Sequence, residues 1–271
     1  MPSGHRLYVM ERIPDDPVTA PLVVLVHGSL DRAASFSRVT RRLPELHTVA
    51  YDRRGYNHSR WAEMTPATLD GHIDDLVEVI AGRPAVVVGH SFGGTVALGA
   101  AVRPGGPDPI LAVGAYEPPL PWLGPWATRQ RTGSERVEDR ADRDPAEEAE
   151  RFFRRMVGDE AWERLPDGTK RARRADGAAL AAELADIRTH TAPFDVTALT
   201  IPAVFGRGSA SIPHHRETPA WLHEHVPGSE LVEIEGAAHG AHLTHPDAFA
   251  QFVLTVLERA AGTGRNRSAA G

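Results

Sequence analysis

The feature that most constrains the fold is a short apolar run that ends in Gly-x-Ser-x-Gly and passes at once into a second apolar segment. The run at 86–88 is typical of a strand buried on both faces, and 96–101 is typical of a packed helix. Between them the backbone must turn sharply at Ser91, which we expect in a strained conformation with its hydroxyl exposed beyond the sheet. Gly89 and Gly93 would let the two backbone segments pass closely, because a Cβ at either position would clash.

The composition is that of an ordinary globular chain. Its 271 residues, 41% hydrophobic and 24% charged, are enough for one large α/β domain with an insertion, or for two small domains. The net charge of −6 offers no basic surface to nucleic acid, and the absence of cysteine excludes disulfides, thiolate metal sites and a cysteine nucleophile. Residues 1–10 lack the apolar run of a signal peptide, and no segment approaches the length of a membrane span. We therefore expect a cytoplasmic protein that binds neither nucleic acid nor membrane.

Apolar runs alternate with helical patterns along most of the chain. Strands are predicted at 7–13, 22–26, 47–52, 86–88, 110–115, 201–206 and 231–234, and helices at 35–43, 65–81 and 246–260. Such alternation predicts an α/β fold with a mostly parallel sheet and helices on both faces. Ligands bind such sheets beyond the carboxyl ends of the strands. The candidate functional residues that follow predicted strands are His27, Gly28, Ser29, Asp52, Ser91, Glu117, Gly206 and His239.

The segment at 118–195 differs in character from the rest of the chain. It is rich in Arg, Glu and Ala, and it predicts helices centred on 145–157 and 171–189. We interpret it as a helical cap inserted into the sheet domain. The predicted organisation is a core of residues 1–117 and 196–260, a helical cap of residues 118–195, and a disordered tail of residues 261–271.

Four motifs, taken in order, make the sequence resemble the α/β-hydrolase family. They are His27-Gly28-Ser29, Asp52-x-Arg54-Gly55-Tyr56-x-x-Ser59, Gly89-His90-Ser91-Phe92-Gly93-Gly94 and Gly236-x-x-His239. The likeness covers about residues 5–260. It implies an eight-stranded, mostly parallel sheet with a helical cap, a Ser-acid-His triad, and neither a metal nor an organic cofactor.

Carried over to this sequence, the resemblance assigns four residues to a reaction centre. Ser91 would be the nucleophile, and His239 would be the general base that deprotonates it and later protonates the leaving group. The backbone N–H groups of Ser29 and Phe92 would form the oxyanion hole. Donors at comparable sites typically contribute ~3 kcal/mol each to transition-state stabilisation.

The triad acid departs from the pattern of most family members. In most of them an Asp follows the seventh strand, whereas Ser209 occupies that place here. A hydroxyl cannot stabilise an imidazolium as a carboxylate does. Some relatives carry the acid after the sixth strand instead, and that position holds Glu117 in this chain. We therefore predict Glu117 as the triad acid, with Asp195 as a weaker candidate that is better placed to cap a turn.

Other polar and aromatic residues have simpler interpretations beside functional ones. The spacing of His239, His242 and His245 suggests a metal cluster, but no carboxylate accompanies them and the first is already assigned, so we predict no metal. Trp122 and Trp126 could line the substrate pocket or pack within the cap. The remaining interpretations are that Asp52 and Arg54 brace a loop and that His214, His215, His223 and His225 are surface residues.

These residues together predict a cofactor-independent serine hydrolase that acts on a small-molecule ester, thioester or lactone. An acyl-enzyme would form on Ser91, and water activated by His239 would release the acid. The alternative is a non-hydrolytic protein of the same fold. It would be a small-molecule binding protein, or an enzyme that uses the Ser-His pair for proton transfer in a cyclisation or an elimination.

Overall fold

The computed structural model describes residues 7–15, 21–61, 67–103, 109–124, 144–187 and 192–268. Seven strands form one sheet in the order β1-β3-β2-β4-β5-β6-β7. They are β1 (Val9–Arg12), β2 (Leu22–Val26), β3 (Thr48–Tyr51), β4 (Ala85–His90), β5 (Ile110–Tyr116), β6 (Ala203–Gly208) and β7 (Glu230–Ile234). β1 is antiparallel to β3, and every other pair is parallel, as predicted.

Helices cover both faces of this sheet, and further helices between β5 and β6 pack mainly on one another. They are α1 (Ser37–Thr40), α2 (Leu69–Ile80), α3 (Phe92–Val102), α4 (Pro145–Val157), α5 (Asp159–Glu163), α6 (Asp167–Ala175), α7 (Gly177–Ile187), α8 (Pro213–His225), α9 (Ala241–Thr244) and α10 (Pro246–Ser268). Short 3-10 helices span Ala33–Phe36, Asn57–Ser59 and Val196–Ala198. Within the described ranges, no helix has the length and apolarity needed to cross a membrane.

The central strands are buried on both sides, which is why their sequences are continuously apolar. Successive residues of a strand point to opposite faces. Val24 and Val26 of β2 belong to the core that contains residues of α2 and α3, whereas Val23 and Leu25 belong to the core that contains residues of α10. The sheet therefore separates two apolar layers.

Within the described residues the sheet has seven strands, one fewer than the eight that the resemblance implied. Every one of the predicted strands is present, so the difference concerns only the strand that no apolar pattern in the sequence supported. At this end of the sheet β1 is half-exposed and pairs only with β3 within the described residues. The strand ending at Tyr116, which the resemblance counts as the sixth, is therefore β5 here.

The predicted helix over 171–189 is interrupted in the structure. It consists of α6 and α7, which meet at Asp176. One carboxylate oxygen of Asp176 accepts hydrogen bonds from the backbone N–H of Asn57 and from Arg60, so this residue is turned toward the sheet domain. A Cβ on the next residue, Gly177, would lie only 2.1 Å from the carbonyl oxygen of Pro145. These two contacts with other parts of the chain explain the break.

The C-terminal helix is longer than predicted. α10 continues to Ser268, whereas the sequence predicted a disordered tail from residue 261. Gly262 and Gly264 favoured that prediction, because glycine costs a helix about 1 kcal/mol relative to alanine. A helix already formed on a packed surface can extend past such residues, since each further residue adds a backbone hydrogen bond without a new nucleation cost.

The register of the central strands places two candidate residues side by side. His90 at the end of β4 pairs with Tyr116 at the end of β5, which in turn pairs with Gly206 of β6. Ser91 and Glu117 are the next residues along their strands. The Ser91 N–H donates to the Tyr116 carbonyl at 2.8 Å, and the Glu117 N–H donates to the Gly206 carbonyl at 2.9 Å. Both residues therefore leave the sheet at its carboxyl edge.

β4 passes into α3 through a single residue, as the glycine pattern predicted. Ser91 has φ 53° and ψ −129°, a conformation that L-residues rarely adopt. A Cβ on Gly89 would lie 2.2 Å from the carbonyl oxygen of Gly93, and a Cβ on Gly93 would lie 2.1 Å from that of Val26. Neither glycine can carry a side chain while the turn keeps this shape.

We expect Gly93→Ala to lower the free energy of unfolding by about 3 kcal/mol or more, because the added methyl group would overlap backbone atoms that cannot rotate away. Gly262→Ala is the matched control, since nothing lies within 4 Å of its Cβ position. It should raise the stability by about 0.5–1 kcal/mol through helix propensity. Urea unfolding of both variants tests this, and a Gly93→Ala protein of wild-type stability would contradict the close approach.

Candidate active site

Ser91 has a strained backbone and is well placed for reaction. It lies at the N-terminus of α3, where the helix dipole favours negative charge. The residue is half-buried, and its Oγ has no hydrogen-bond partner among the described residues. Backbone strain of this kind costs about 1–3 kcal/mol and persists only where the surrounding structure enforces it, most often at functional sites.

Glu117 and His239 are in direct contact, as the sequence predicted. His239 Nδ1 lies 2.7 Å from Glu117 Oε2. The Glu117 side chain is fully buried, and its other oxygen accepts a hydrogen bond from the Gly208 N–H at 2.8 Å. Because an ionised carboxylate only accepts, Nδ1 carries the proton and Nε2 is left with a free lone pair. This is the tautomer that a general base requires.

Glu117 also has an unusual backbone. Its φ is 47°, and Leu30 and Ser91 have φ values of 53°. These three residues follow β5, β2 and β4 at the carboxyl edge of the sheet. Asn57 and Ala81 also have positive φ, but three of these five non-glycine residues lie where the candidate catalytic groups lie, which supports a functional origin of the strain there.

The loop after β2 passes directly beside Ser91. A Cβ on Gly28 would lie 2.8 Å from the Ser91 Cβ. The N–H of the next residue, Ser29, and the N–H of Phe92 in the first turn of α3 have no backbone carbonyl partner among the described residues. Both predicted oxyanion-hole donors thus flank the nucleophile position and are free, while their role as donors to an oxyanion stays a prediction.

Comparison with known proteins identifies the family of this chain. The profile of the alpha/beta hydrolase family matches residues 23–252. The chain belongs to the alpha/beta hydrolase family. It is 31% identical over 263 residues to a pimeloyl-[acyl-carrier protein] methyl ester esterase of Neisseria meningitidis, a match that covers 89% of this chain and 95% of the relative.

Two further similarities are more limited. The hydrolase is 34% identical over 116 residues to the lipase LipV of Mycobacterium tuberculosis, which covers 41% of each chain, so the match spans about two fifths of that relative's length. A thermophilic esterase from Thermogutta terrifontis superposes with a TM-score of 0.70 at 20% identity, covering 94% of this chain and 93% of the other. At that identity the solved structure establishes the fold alone.

His215 of this hydrolase lies in the site, and its prediction as a surface residue is wrong. It stacks on His239 with ring centroids 4.1 Å apart, and its Nδ1 lies 3.6 Å from Glu117 Oε2. Burial, followed by the neighbouring His239 and His214, lowers the pKa of His215 to about 2, so the ring is neutral near pH 7. The first turn of α8 brings it to the carboxyl edge of the sheet. The only sequence signal for this placement of His215 was its position shortly after the end of a predicted strand.

A second imidazole–carboxylate pair supports the loop that carries His239. His242 Nε2 lies 3.1 Å from Asp31 Oδ2, and the His242 ring is 4.2 Å from the ring of His90. The pKa of His90 is well below its usual value because of burial and the neighbouring His242 and His239 rings. Neutral His90 can therefore donate its Nε2–H to the His239 carbonyl at 2.7 Å.

In the part of the chain that the structure describes, two groups of side chains are close enough to hold a metal ion. One is Asp31, His90 and His242, and the other is Glu117, His215 and His239. Both already contain an imidazole–carboxylate hydrogen bond. The trio suggested by sequence spacing does not gather into one group, because His239, His242 and His245 are bound to Glu117, Asp31 and Thr244, respectively.

The structure places both Asp195, the alternative candidate for the triad acid, and Ser209, which occupies the position of the usual acid. Asp195 caps the 3-10 helix Val196–Ala198, accepting from the Thr197 N–H at 2.9 Å and from its hydroxyl at 2.7 Å, which confirms the interpretation as a turn cap. Ser209 Oγ accepts from the Gly236 N–H at 2.8 Å, at the start of the loop that carries His239. The position that holds an Asp in most relatives therefore still faces that loop.

Asp52 and Arg54 brace the surrounding loops, as predicted. Asp52 accepts hydrogen bonds from the backbone N–H of Ala33 and from the side chain of Asn57, both at 2.8 Å. Arg54 forms a two-pronged ion pair with Asp75 of α2. The bond to Ala33 holds the loop after β3 against the segment after β2, and the ion pair holds it against α2.

Of the two tryptophans predicted as possible lining of the substrate pocket, the structure describes one. Trp122 packs against the main core and meets the Phe194 ring edge-on, with centroids 5.3 Å apart. Trp126 lies outside the described residues. A cavity of about 420 Å³ lies near Phe194 between α2 and α3, and its lining does not include Ser91, Glu117 or His239. A substrate-lining role for either tryptophan stays a prediction.

Acid should destabilise this hydrolase through its neutral buried histidines. Burial is the largest cause that lowers the pKa of His27 to about 3 and that of His215 to about 2, against an ordinary value of 6.5. Below pH 6.5 the unfolded chain takes up protons that the folded protein does not, so the free energy of unfolding falls as the pH falls. Each histidine should remove about 2 kcal/mol between pH 7 and pH 5 in urea unfolding experiments.

A pair of variants tests the contribution of His215. His215→Leu should lose about 2 kcal/mol less than the wild type over the same pH interval. His223→Leu, at an exposed position on the same helix, should keep the wild-type pH dependence. An unchanged pH dependence in His215→Leu would contradict the assignment of a neutral imidazole beside Glu117.

Proposed function

We propose that this hydrolase cleaves a carboxylic ester, thioester or lactone through an acyl-enzyme on Ser91. The observation that carries the proposal is the buried Glu117 carboxylate bound to His239 Nδ1 at 2.7 Å, next to a strained serine at a helix N-terminus. Two relatives named as a methyl ester esterase and a lipase support the ester class. No metal or organic cofactor has a part in the proposed reaction.

In the first half of the proposed reaction, Ser91 Oγ attacks the substrate carbonyl carbon and His239 Nε2 takes the hydroxyl proton. The carbonyl oxygen becomes an oxyanion, which accepts hydrogen bonds from the N–H groups of Ser29 and Phe92. As the tetrahedral intermediate collapses, the bond to the alkoxide or thiolate breaks, and His239 returns the proton to that leaving group. The acyl group stays on Ser91 as an ester.

In the second half, a water molecule replaces the leaving group. His239 Nε2 takes one water proton while the hydroxyl oxygen attacks the acyl carbon, and the same proton then goes to Ser91 Oγ as the acid departs. In both halves the ring is transiently an imidazolium. Glu117 stabilises this charge at 2.7 Å from a buried position, where electrostatic interactions are stronger than in water.

We further propose that residues 118–195 act as the cap that selects the substrate, on a core of residues 1–117 and 196–260. The support is that α7 contacts the loop beside Ser91 through the bond from Ser29 Oγ to Glu183. Substrate selectivity would then depend on the helices between β5 and β6.

Ser91→Ala and His239→Ala should each lower kcat for an activated ester by about 10⁴-fold or more. The double variant should be little worse, because the two groups act as one unit. The assay is hydrolysis of p-nitrophenyl esters, with covalent labelling of Ser91 by a fluorophosphonate as a second readout. Substantial turnover by Ser91→Ala would exclude the acyl-enzyme, and turnover of no ester by the wild type would favour the proton-transfer alternative.

Glu117→Gln should lower kcat by about 10⁴-fold, because the amide keeps the shape but removes the charge that stabilises the imidazolium. Adding Ser209→Asp to that variant should restore part of the rate, since Ser209 faces the loop that carries His239. Asp195→Asn is the matched control and should keep the wild-type kcat. If Glu117→Gln keeps the wild-type kcat, the assignment of the acid is wrong.

A further inference from the structure

Glu183 of α7 is a fully buried carboxylate that the proposed reaction does not use. Its Oε2 accepts hydrogen bonds from Ser29 Oγ and from the Tyr56 hydroxyl, each at 2.7 Å. Its Oε1 accepts a short hydrogen bond from Arg53 and lies 3.0 Å from His72 Nε2. Both charged side chains, Arg53 and Glu183, have no exposed surface.

Glu183 is ionised despite its burial. Burial alone would raise the pKa of this carboxyl, but the Arg53 guanidinium and the hydrogen bond from His72 outweigh it and hold the pKa of Glu183 at about 2. A buried ion pair is weak evidence for stability, because its desolvation cost can equal the attraction between the charges. The location of this ion pair therefore needs an explanation other than its contribution to stability.

Arg53 holds the backbone of the loop that lies beside Ser91. Its Nε donates to the His27 carbonyl at 2.8 Å, and its backbone N–H donates to His27 Nε2 at 2.9 Å. Because Nε2 accepts, Nδ1 carries the proton and donates to the Gly28 carbonyl at 2.7 Å. Burial, together with Arg53, lowers the pKa of His27 to about 3, so this neutral tautomer persists near pH 7.

These bonds fix the direction of the Ser29 N–H. The Gly28 carbonyl and the Ser29 N–H belong to one planar trans peptide, so they point in opposite directions. The carbonyl is held by the His27 ring, and the side chain that follows the N–H is held by Glu183. The same loop touches the Ser91 Cβ position, so a rotation of this peptide would move the donor relative to the nucleophile.

We propose that Arg53 and Glu183 are positioning residues that aim the Ser29 N–H at the oxyanion, and that they make the oxyanion hole dependent on the docking of α7. Neither side chain touches the substrate, and the inference rests on the proposed function. A displacement of about 1 Å in a catalytic group can cost about 10²-fold in rate. Loss of the pair should therefore impair the stabilisation of the oxyanion more than the binding of the substrate.

The oxyanion hole can be measured by comparing an ester with its thionoester, in which sulfur replaces the carbonyl oxygen. Sulfur is a weaker hydrogen-bond acceptor, so an intact hole favours the oxygen substrate. The ratio of kcat/KM for the two substrates reports the hole itself. A variant that is merely less folded loses activity toward both substrates equally and keeps the ratio.

Two variants alter the pair itself, and a third removes its link to the loop beside Ser91. Glu183→Gln removes the charge, and the double variant Arg53→Met with Glu183→Leu replaces the ion pair by apolar side chains of similar size, which buried pairs often tolerate. Ser29→Ala leaves the ion pair and the backbone N–H in place but removes the bond from Oγ to Glu183. We expect the oxygen-to-sulfur ratio to fall about tenfold or more in the first two and by a smaller factor in Ser29→Ala, with kcat changed more than KM.

Asp186→Asn is the matched control. Asp186 lies on the same helix and accepts a hydrogen bond from the Leu69 N–H at 2.6 Å, so it ties α7 to α2. The same change from carboxylate to amide should leave the oxygen-to-sulfur ratio at the wild-type value. A ratio that fell equally in Asp186→Asn would show that general loosening of α7, and not the Arg53–Glu183 pair, is responsible, and would overturn the inference.

The remaining outcomes separate this inference from the proposed function. If the wild type favours the oxygen ester and every folded variant keeps that ratio, the pair is only structural and the inference is wrong, while the proposed function stands. If the wild type hydrolyses neither substrate, the proposed function fails and the inference fails with it. When the Glu183 variants do not fold, Ser29→Ala still tests the link between Glu183 and the loop, because it leaves no buried charge unpaired, and an unchanged ratio in that variant would overturn this link.

Discussion

The backbone contact between the first turn of α3 and the end of β2 is the constraint on which the rest of the site depends. Gly93 has no side chain, so its Cα can lie against the carbonyl oxygens of Val26 and His27. This contact lets Ser91 adopt its left-handed conformation at the helix N-terminus. It also brings the loop after β2 next to the same serine, so one packing contact places both the candidate nucleophile and a candidate oxyanion donor.

Parallel pairing extends this arrangement to the next strand. Because β4 and β5 are in register at His90 and Tyr116, the residues that follow them emerge together. A carboxylate at the end of β5 therefore reaches His239 as readily as one at the end of β6 would. The fold tolerates either position because both strand ends face the loop that carries the histidine, which explains how Ser209 can stand where most relatives have an acid.

Two buried carboxylates and the partly exposed Asp31 organise the carboxyl edge of the sheet in this hydrolase. Glu117 binds His239, Asp31 binds His242, and Glu183 binds Arg53 and His72. Each would be costly to bury alone, and each is compensated by hydrogen bonds or by a charge. Such groups fix geometry more than they add stability, since apolar residues could fill the same space at a similar free energy. Their common location beside Ser91 suits a reaction centre that must not rearrange.

The sequence by itself determined the features that are local or that follow from the repeating pattern of the chain. The apolar runs and the glycines around Ser91 were sufficient to predict the strands and the sharp turn, and the resemblance to the family, with Glu117 at a strand end, predicted the contact with His239. Parallel sheets collect strand ends at one edge, so residues far apart in sequence could be brought together without knowledge of the packing.

Only the tertiary structure decided which helix faces meet that edge. His215 and Glu183 lie on α8 and α7, within sequences whose helical pattern does not reveal the direction from which each helix approaches the sheet. In the sequence, Arg53 is part of a loop motif. Its buried partner, Glu183, lies 130 residues away, so the motif does not reveal the ion pair. Helix docking is set by the summed packing of distant side chains, which no short sequence window contains, and it is this docking that joins the helices between β5 and β6 to the loop beside Ser91.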